Sequence, residues 1–202
     1  MPQFSTPFDT LALVAIAAYL LGSVPFGMVM AKIFGLGNLR DVGSGNIGAT
    51  NVLRTGSKPA ALLTLILDAG KAAAAILVAR ALVGQDAAQV AGLAAFLGHL
   101  YPIYLRFKGG KGVATFLGAL LALHPLTGAL SCATWLVAAA ITRISSLGAL
   151  AAAAFAILWA LIFNQFQLVL LITILAVLVF ARHSENIARI KAGNEPKIGQ
   201  GK

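Results

Sequence analysis

Long apolar runs separated by short polar breaks dominate the chain. The first covers about residues 10–34 and is interrupted by "GSVPFG" at 22–27. Others follow at about 59–83, 87–105, 126–142 and 147–163, and a last one ends near Ala181. A shorter apolar piece, 112–123, closes at "HP" in 124–125, where proline disfavours helix for the residue before it. A spanning helix needs about 20 mainly apolar residues. The pattern therefore predicts an all-α polytopic membrane protein with about seven transmembrane helices, some of them short or broken. The short piece is 12 residues long. It reaches only ~18 Å against a hydrocarbon core of ~30 Å, so it is expected to be buried among neighbours or re-entrant. Residues 1–192 read as one integral-membrane domain, and 193–202 as a polar, disordered tail.

Composition supports a bilayer as solvent. Of 202 residues, 59% are hydrophobic and 10% charged, where soluble domains carry roughly 25% charged residues. The net charge of +9 would suggest nucleic acid in a soluble protein. Here it has a simpler source, because cytoplasmic loops of membrane proteins are enriched in Lys and Arg. With the N-terminus outside and seven crossings, 13 of the 15 basic residues fall on the side of 35–58, 106–111, 143–146 and the tail. Lys71, inside a span, and Arg80, near the other face, are the remainder. This count predicts a cytoplasmic C-terminus. The single cysteine, Cys132, supports neither an intramolecular disulfide nor a cysteine metal motif. The first run lacks a basic leader and exceeds signal-peptide length, so it reads as a retained helix.

Candidate chemistry lies in three polar stretches on the basic side. "GSGNIGATN", 43–51, matches a dinucleotide pattern and, except for Ala49, a phosphate-loop pattern. Both matches fail on context, since a membrane helix precedes the stretch and no β-α-β unit exists. The physics behind those patterns remains. Gly43, Gly45 and Gly48 let backbone amides approach an anion, and Ser44, Asn46, Thr50 and Asn51 add neutral donors. Arg54 adds a fixed charge suited to phosphate. A polar connector between spans is the competing reading. In "FKGGKGVATF", 107–116, Lys108 and Lys111 flank Gly109 and Gly110, with Gly112 following. Alone this is an ordinary positive loop; beside the first stretch it suggests a two-sided anion site. In "RHSENIARI", 182–190, His183, Asn186 and Arg189 share a helix face, as they would at any helix end leaving a membrane. Asp68 and Lys71, one turn apart within a span, read as a structural pair. His99 reads as a helix contact and His124 as interfacial.

The stretches "GSVPFG", "GSGNIGATNVLR", "LGHLYPIYLRFKGGKGVAT" and "RHSENIARI" together resemble the bacterial integral-membrane acyl-phosphate:glycerol-3-phosphate acyltransferases. The resemblance covers all but about the last ten residues. It implies a multi-pass protein of the bacterial inner membrane whose site faces the cytoplasm. It also implies acyl transfer from acyl phosphate to the 1-hydroxyl of glycerol 3-phosphate, the first step of phospholipid synthesis. Membrane lipid is the surrounding partner; nucleic acid, cofactor and metal are not expected. The resemblance puts glycerol-phosphate contacts at Ser44, Arg54, Lys111, His183 and Asn186. It puts the phosphate-binding backbone at Gly43, Gly45, Asn46, Gly48, Thr50, Asn51, Lys108, Gly109, Gly110 and Gly112. Some members carry a further serine where this chain has Gly148-Ala149, so a polar contact is not expected there.

The residues also constrain mechanism. Peripheral glycerolipid acyltransferases use H-x-x-x-x-D. The fifth residues after His99, His124 and His183 are Tyr104, Ala129 and Ala188. An activated acyl phosphate needs chiefly positioning and charge stabilisation. A transporter of phosphorylated metabolites is the alternative, favoured by short broken helices and Asp68/Lys71. Against it, all three motif stretches crowd one face. A phosphatidyl-alcohol transferase would need an aspartate-rich metal motif that is missing.

Overall fold

The computed structural model describes residues 5–199. Ten α-helices follow one another: α1 (Phe8–Gly22), α2 (Phe26–Ile33), α3 (Ala49–Leu53), α4 (Lys58–Leu82), α5 (Gln85–Leu100), α6 (Val113–Leu123), α7 (Pro125–Thr142), α8 (Ser145–Ile162), α9 (Phe166–Arg182) and α10 (Ser184–Lys191). Among the described residues five segments are long and apolar enough to cross a membrane, α1 and α2 counting as one broken segment. The pair α9 and α10, bent by 60°, adds a sixth, and α6 is a shorter apolar helix of 11 residues. The helices group into two compact units, Gln3–Leu123 and His124–Lys202.

In the first unit, α1 packs on α5, and α4 packs on both α5 and α6. Glycine sets the spacing. A Cβ on Gly22 would lie 2.1 Å from the Ala95 carbonyl oxygen, and one on Gly98 2.3 Å from that of Tyr19. A Cβ on Gly118 would meet the Ala69 carbonyl oxygen at 2.2 Å. Small residues of this kind let membrane helices bring their backbones together. Helix ends inside the bundle need partners for their last carbonyls. Arg80 supplies them for the short α6, donating to the Ala122 and Leu123 carbonyls at 2.8 and 3.1 Å. Ser5 and Thr6 backbone amides donate to Asp86 at the start of α5, at 2.9 and 2.8 Å.

In the second unit, α8 packs between α7 and α9. Its buried face is largely alanine, at 149, 152, 153, 156 and 160. Trp159 Nε1 donates to Thr134 Oγ1 at 3.1 Å across α7 and α8. His124 accepts the Thr127 amide and so caps α7. Backbone and side-chain bonds engage the described part of the tail. Ile198 N donates to the Arg143 carbonyl, and Glu195 is bound as described below. Residues 200–202 lie outside the described residues.

Two glycines separate the effects of packing and propensity. A Cβ on Gly70 of α4 would meet nothing within 4 Å beyond the backbone of its own helix. Gly70→Ala is expected to keep or raise stability, since glycine in a helix costs roughly 0.5–1 kcal/mol relative to alanine. Gly118→Ala is expected to lower it by about 1–3 kcal/mol through overpacking. Thermal unfolding in detergent checks both signs.

Candidate active site

The first polar stretch is a folded turn. Gly43 and Gly45 take left-handed φ values of +52° and +66°, which side chains resist. Asn51, buried on α3, accepts the Ser44 amide at 3.2 Å and donates to the Leu39 carbonyl at 2.8 Å. The Gly45 amide donates to the Val42 carbonyl and the Ile47 amide to Asn46 Oδ1. Ile47 is buried, and its carbonyl oxygen sits where a Cβ on Gly27 would be. The amides of Ser44, Gly45 and Ile47 thus donate within the loop. What the turn presents outward is side chain. Ser44, Thr50 and Arg54 are exposed. Arg54 lies over Gly43, where a Cβ would be 2.8 Å from its guanidinium Nη1. Asn46 and Gly48 are half-buried beside it.

The second stretch folds back on α5. The Gly109 amide donates to the Leu100 carbonyl and the Gly110 amide to that of His99, both at 3.2 Å. These bonds satisfy carbonyls at the end of α5. A Cβ on Gly109 would lie 2.2 Å from the His99 carbonyl oxygen, and one on Gly112, at φ +82°, 2.5 Å from Phe96. The glycines thus let the stretch dock closely on α5. Arg106 and Phe107 also take positive φ, 52° and 62°. Lys108 is exposed and Lys111 half-buried. The two stretches are tied together by Arg40, which donates to the Lys108 carbonyl at 2.6 Å.

His183 and Asn186 belong to the second unit. His183 sits at the α9–α10 bend, buried, with Nδ1 2.8 Å from the Val179 carbonyl oxygen. A carbonyl only accepts, so Nδ1 carries a proton and Nε2 is the acceptor of the neutral ring. Asn186, Arg189 and Ser146 converge on Glu195. Ser146 Oγ and Asn186 Nδ2 donate to Oε1, at 2.6 and 2.5 Å, and Arg189 Nε to Oε2 at 2.7 Å. The Glu195 side chain is only 6% exposed. Burial pushes its carboxyl up, but the bonds from Ser146, Asn186 and Arg189 outweigh burial and hold it below the ordinary carboxylate range. Sequence reasoning missed both Glu195 and Ser146. The signal was slight, an acid within the basic tail "NEPK".

Among the described residues no group of three His, Cys, Asp or Glu side chains is placed to hold a metal. The side chains available for chemistry are cations, hydroxyls, an amide and an imidazole, a set that binds and positions anions. Helices long and apolar enough to cross a membrane, joined by cationic turns, fit an integral-membrane protein. The family model for glycerol-3-phosphate acyltransferase matches residues 12–193, and the chain belongs to that family. Two relatives with that name are similar throughout. The one from Dinoroseobacter shibae is 60% identical over 98% of this chain and 98% of its own. The one from Cereibacter sphaeroides is 58% identical over 99% and 95%. The crystal structure of PlsY (YgiH), an integral membrane glycerol 3-phosphate acyltransferase in its glycerol 3-phosphate form, aligns over 94% of this chain and 96% of its own. Its TM-score is 0.89 at 39% identity. Its lysophosphatidic acid form gives 0.86 at 36% identity, over 94% of this chain and 96% of its own.

A carboxylate with a depressed folded pKa stabilises the fold above its unfolded value, and that contribution is lost as pH falls through the folded one. Wild type should lose stability on acidification through the carboxylate range. Glu195→Gln should melt lower at neutral pH and show a shallower acid dependence. Thermal unfolding in detergent across that window checks it.

Proposed function

We propose that the chain transfers a fatty acyl group from acyl phosphate to the 1-hydroxyl of glycerol 3-phosphate. The products are 1-acylglycerol 3-phosphate, which is lysophosphatidic acid, and inorganic phosphate. This would be the first step of phospholipid synthesis, at the cytoplasmic face of the bacterial inner membrane. One observation carries the reading: the chain aligns over 94% of its length with an acyltransferase in its glycerol 3-phosphate form.

In this reading the substrate hydroxyl attacks the acyl carbonyl carbon. The bond from that carbon to the phosphate oxygen breaks, and phosphate leaves with the bonding pair. The hydroxyl proton passes to phosphate. Arg54 and Lys111 hold phosphate groups and offset the charge that builds on the acyl oxygen. Arg54 suits a bidentate grip, whereas Lys111 and Lys108 act as point charges. Ser44 and Thr50 donate or accept at the glycerol and phosphate oxygens. The remaining glycine-turn residues, Gly43, Gly45, Asn46, Gly48 and Asn51, hold that turn in place. Gly109, Gly110 and Gly112 do the same for Lys111. His183 and Asn186 bind and orient substrate, and His183 is fixed for this by its Nδ1 bond to Val179.

Arg54→Ala is expected to raise KM for glycerol 3-phosphate at least tenfold and leave the protein folded; an assay of phosphate release from acyl phosphate in detergent checks it. Release only in the presence of glycerol 3-phosphate would reject transport as the sole activity. General-base catalysis is worth about 10²–10⁴-fold. His183→Gln should therefore keep a turnover number within tenfold of wild type at saturating substrate. A fall of 100-fold or more would make His183 the base. Chelator is expected to leave turnover unchanged, and loss restored by a divalent ion would overturn the metal-free reading.

A further inference from the structure

The reaction above leaves one buried charged cluster unused. Lys71 and Asp68 on α4 and His99 on α5 are 3%, 2% and 4% exposed. Lys71 Nζ lies 2.9 Å from Asp68 Oδ1, 2.9 Å from His99 Nδ1 and 2.9 Å from the Val24 carbonyl oxygen. An ammonium has three protons and accepts none; the Val24 carbonyl accepts from it, and Asp68 Oδ1 is an ion-pair contact. His99 Nδ1 also lies 3.5 Å from Asp68 Oδ1, so this edge of the ring is held by both members of the pair.

The Nε2 edge faces the second glycine stretch. A Cβ on Gly110 would lie 2.4 Å from Nε2 and 3.1 Å from Cε1 of His99. The His99 carbonyl accepts the Gly110 amide at 3.2 Å. His99 thus contacts Gly110 through ring and backbone at once, and Lys111 is the next residue. An Asp–Lys pair for stability alone has no use for an imidazole whose far edge walls this turn.

We propose that His99 is a positioning residue for acyl transfer. Lys71 holds its ring through Nδ1, and the ring fixes the course of Gly109-Gly110 and so the direction of Lys111. The proposal rests on Lys111 as a phosphate ligand in the reading above.

The test uses the full chain purified in detergent, with His99→Ala, His99→Gln, Lys71→Met, Gly110→Ala and the His99→Ala/Gly110→Ala pair. Two readouts apply: KM and kcat for glycerol 3-phosphate with acyl phosphate as donor, and the melting-temperature rise that glycerol 3-phosphate alone produces. His99→Ala and Lys71→Met should each raise KM at least tenfold, with kcat changed less than KM. His99→Gln, which can still reach the turn, should be milder than His99→Ala. Gly110→Ala should raise KM at least tenfold by clashing with the ring, and removing the ring in the double variant should recover at least fivefold of it. A folded His99→Ala protein with unchanged KM overturns the proposal. So does a double variant as impaired as the product of the two single effects. If neither His99→Ala nor His99→Gln folds, His99 belongs to the core and the positioning role is rejected. If wild type shows the melting rise but no turnover with acyl phosphate, the donor reading fails, while the same variants still test His99 through that rise. If wild type shows neither, both fail.

Discussion

Hydrocarbon offers no hydrogen bonds, so every backbone group at membrane depth must find its partner within the protein. A chain whose helices are short or broken meets this demand often. The break between α1 and α2 leaves the Val24 carbonyl beside Pro25, and Lys71 donates to it. The short α6 ends on carbonyls taken by Arg80. The end of α5 is taken by the amides of Gly109 and Gly110. The first two solutions use a residue more than 40 positions away, and the third one 9 to 11 positions on. Two use basic residues that the positive-inside count had left over. The polar turns are therefore held in place by the same bonds that let the helices stop where they do.

The helices themselves were legible because burial in lipid needs only length and apolarity. Expected spans at 59–83, 126–142 and 147–163 correspond to α4, α7 and α8 within a few residues. The third span, read as 87–105, matches the apolar segment Gln85–Leu105, within which α5 stops at Leu100. Tyr101 and the residues around Pro102 leave the helix so that the glycine stretch can return onto it, a long-range demand that local hydropathy does not encode. The five residues of α3 carry no periodicity to read. Lys71 was read as paired with Asp68, but its third partner, His99, comes from another helix.

The glycines teach a narrower lesson. Their number in the two motif stretches pointed to close backbone approach, and that physics is present. At two of these positions the chain itself is approached, since a Cβ on Gly109 or Gly110 would collide with its atoms. Sequence spacing reveals that a backbone must come close to something, but not whether the something is a ligand or a neighbouring helix. Glu195 was hidden for a related reason. Its partners Ser146, Asn186 and Arg189 lie 49, 9 and 6 positions away. No short pattern joins an acid near the C-terminus to a serine at the start of α8.

Motif residues consequently fall into two physical groups. Asn51, Gly110 and Gly112 are buried and engaged with the chain itself, while Ser44, Thr50, Arg54 and Lys108 are exposed. Electrostatic catalysis works when charges are already in place and need no rearrangement as the transition state forms. A flexible loop bearing the same arginine and lysines would have to be ordered by the substrate, at an entropic cost of order 1–2 kcal/mol for each residue fixed. Here that ordering is supplied in advance by Asn51 on one turn and by the end of α5 beneath the other. Arg40 joins them through the Lys108 carbonyl. If the donor is an acyl phosphate, as proposed, it brings its own leaving group and asks little more of a protein than two anions held at the right separation. In that reading, cationic side chains on braced turns are a sufficient means of holding them.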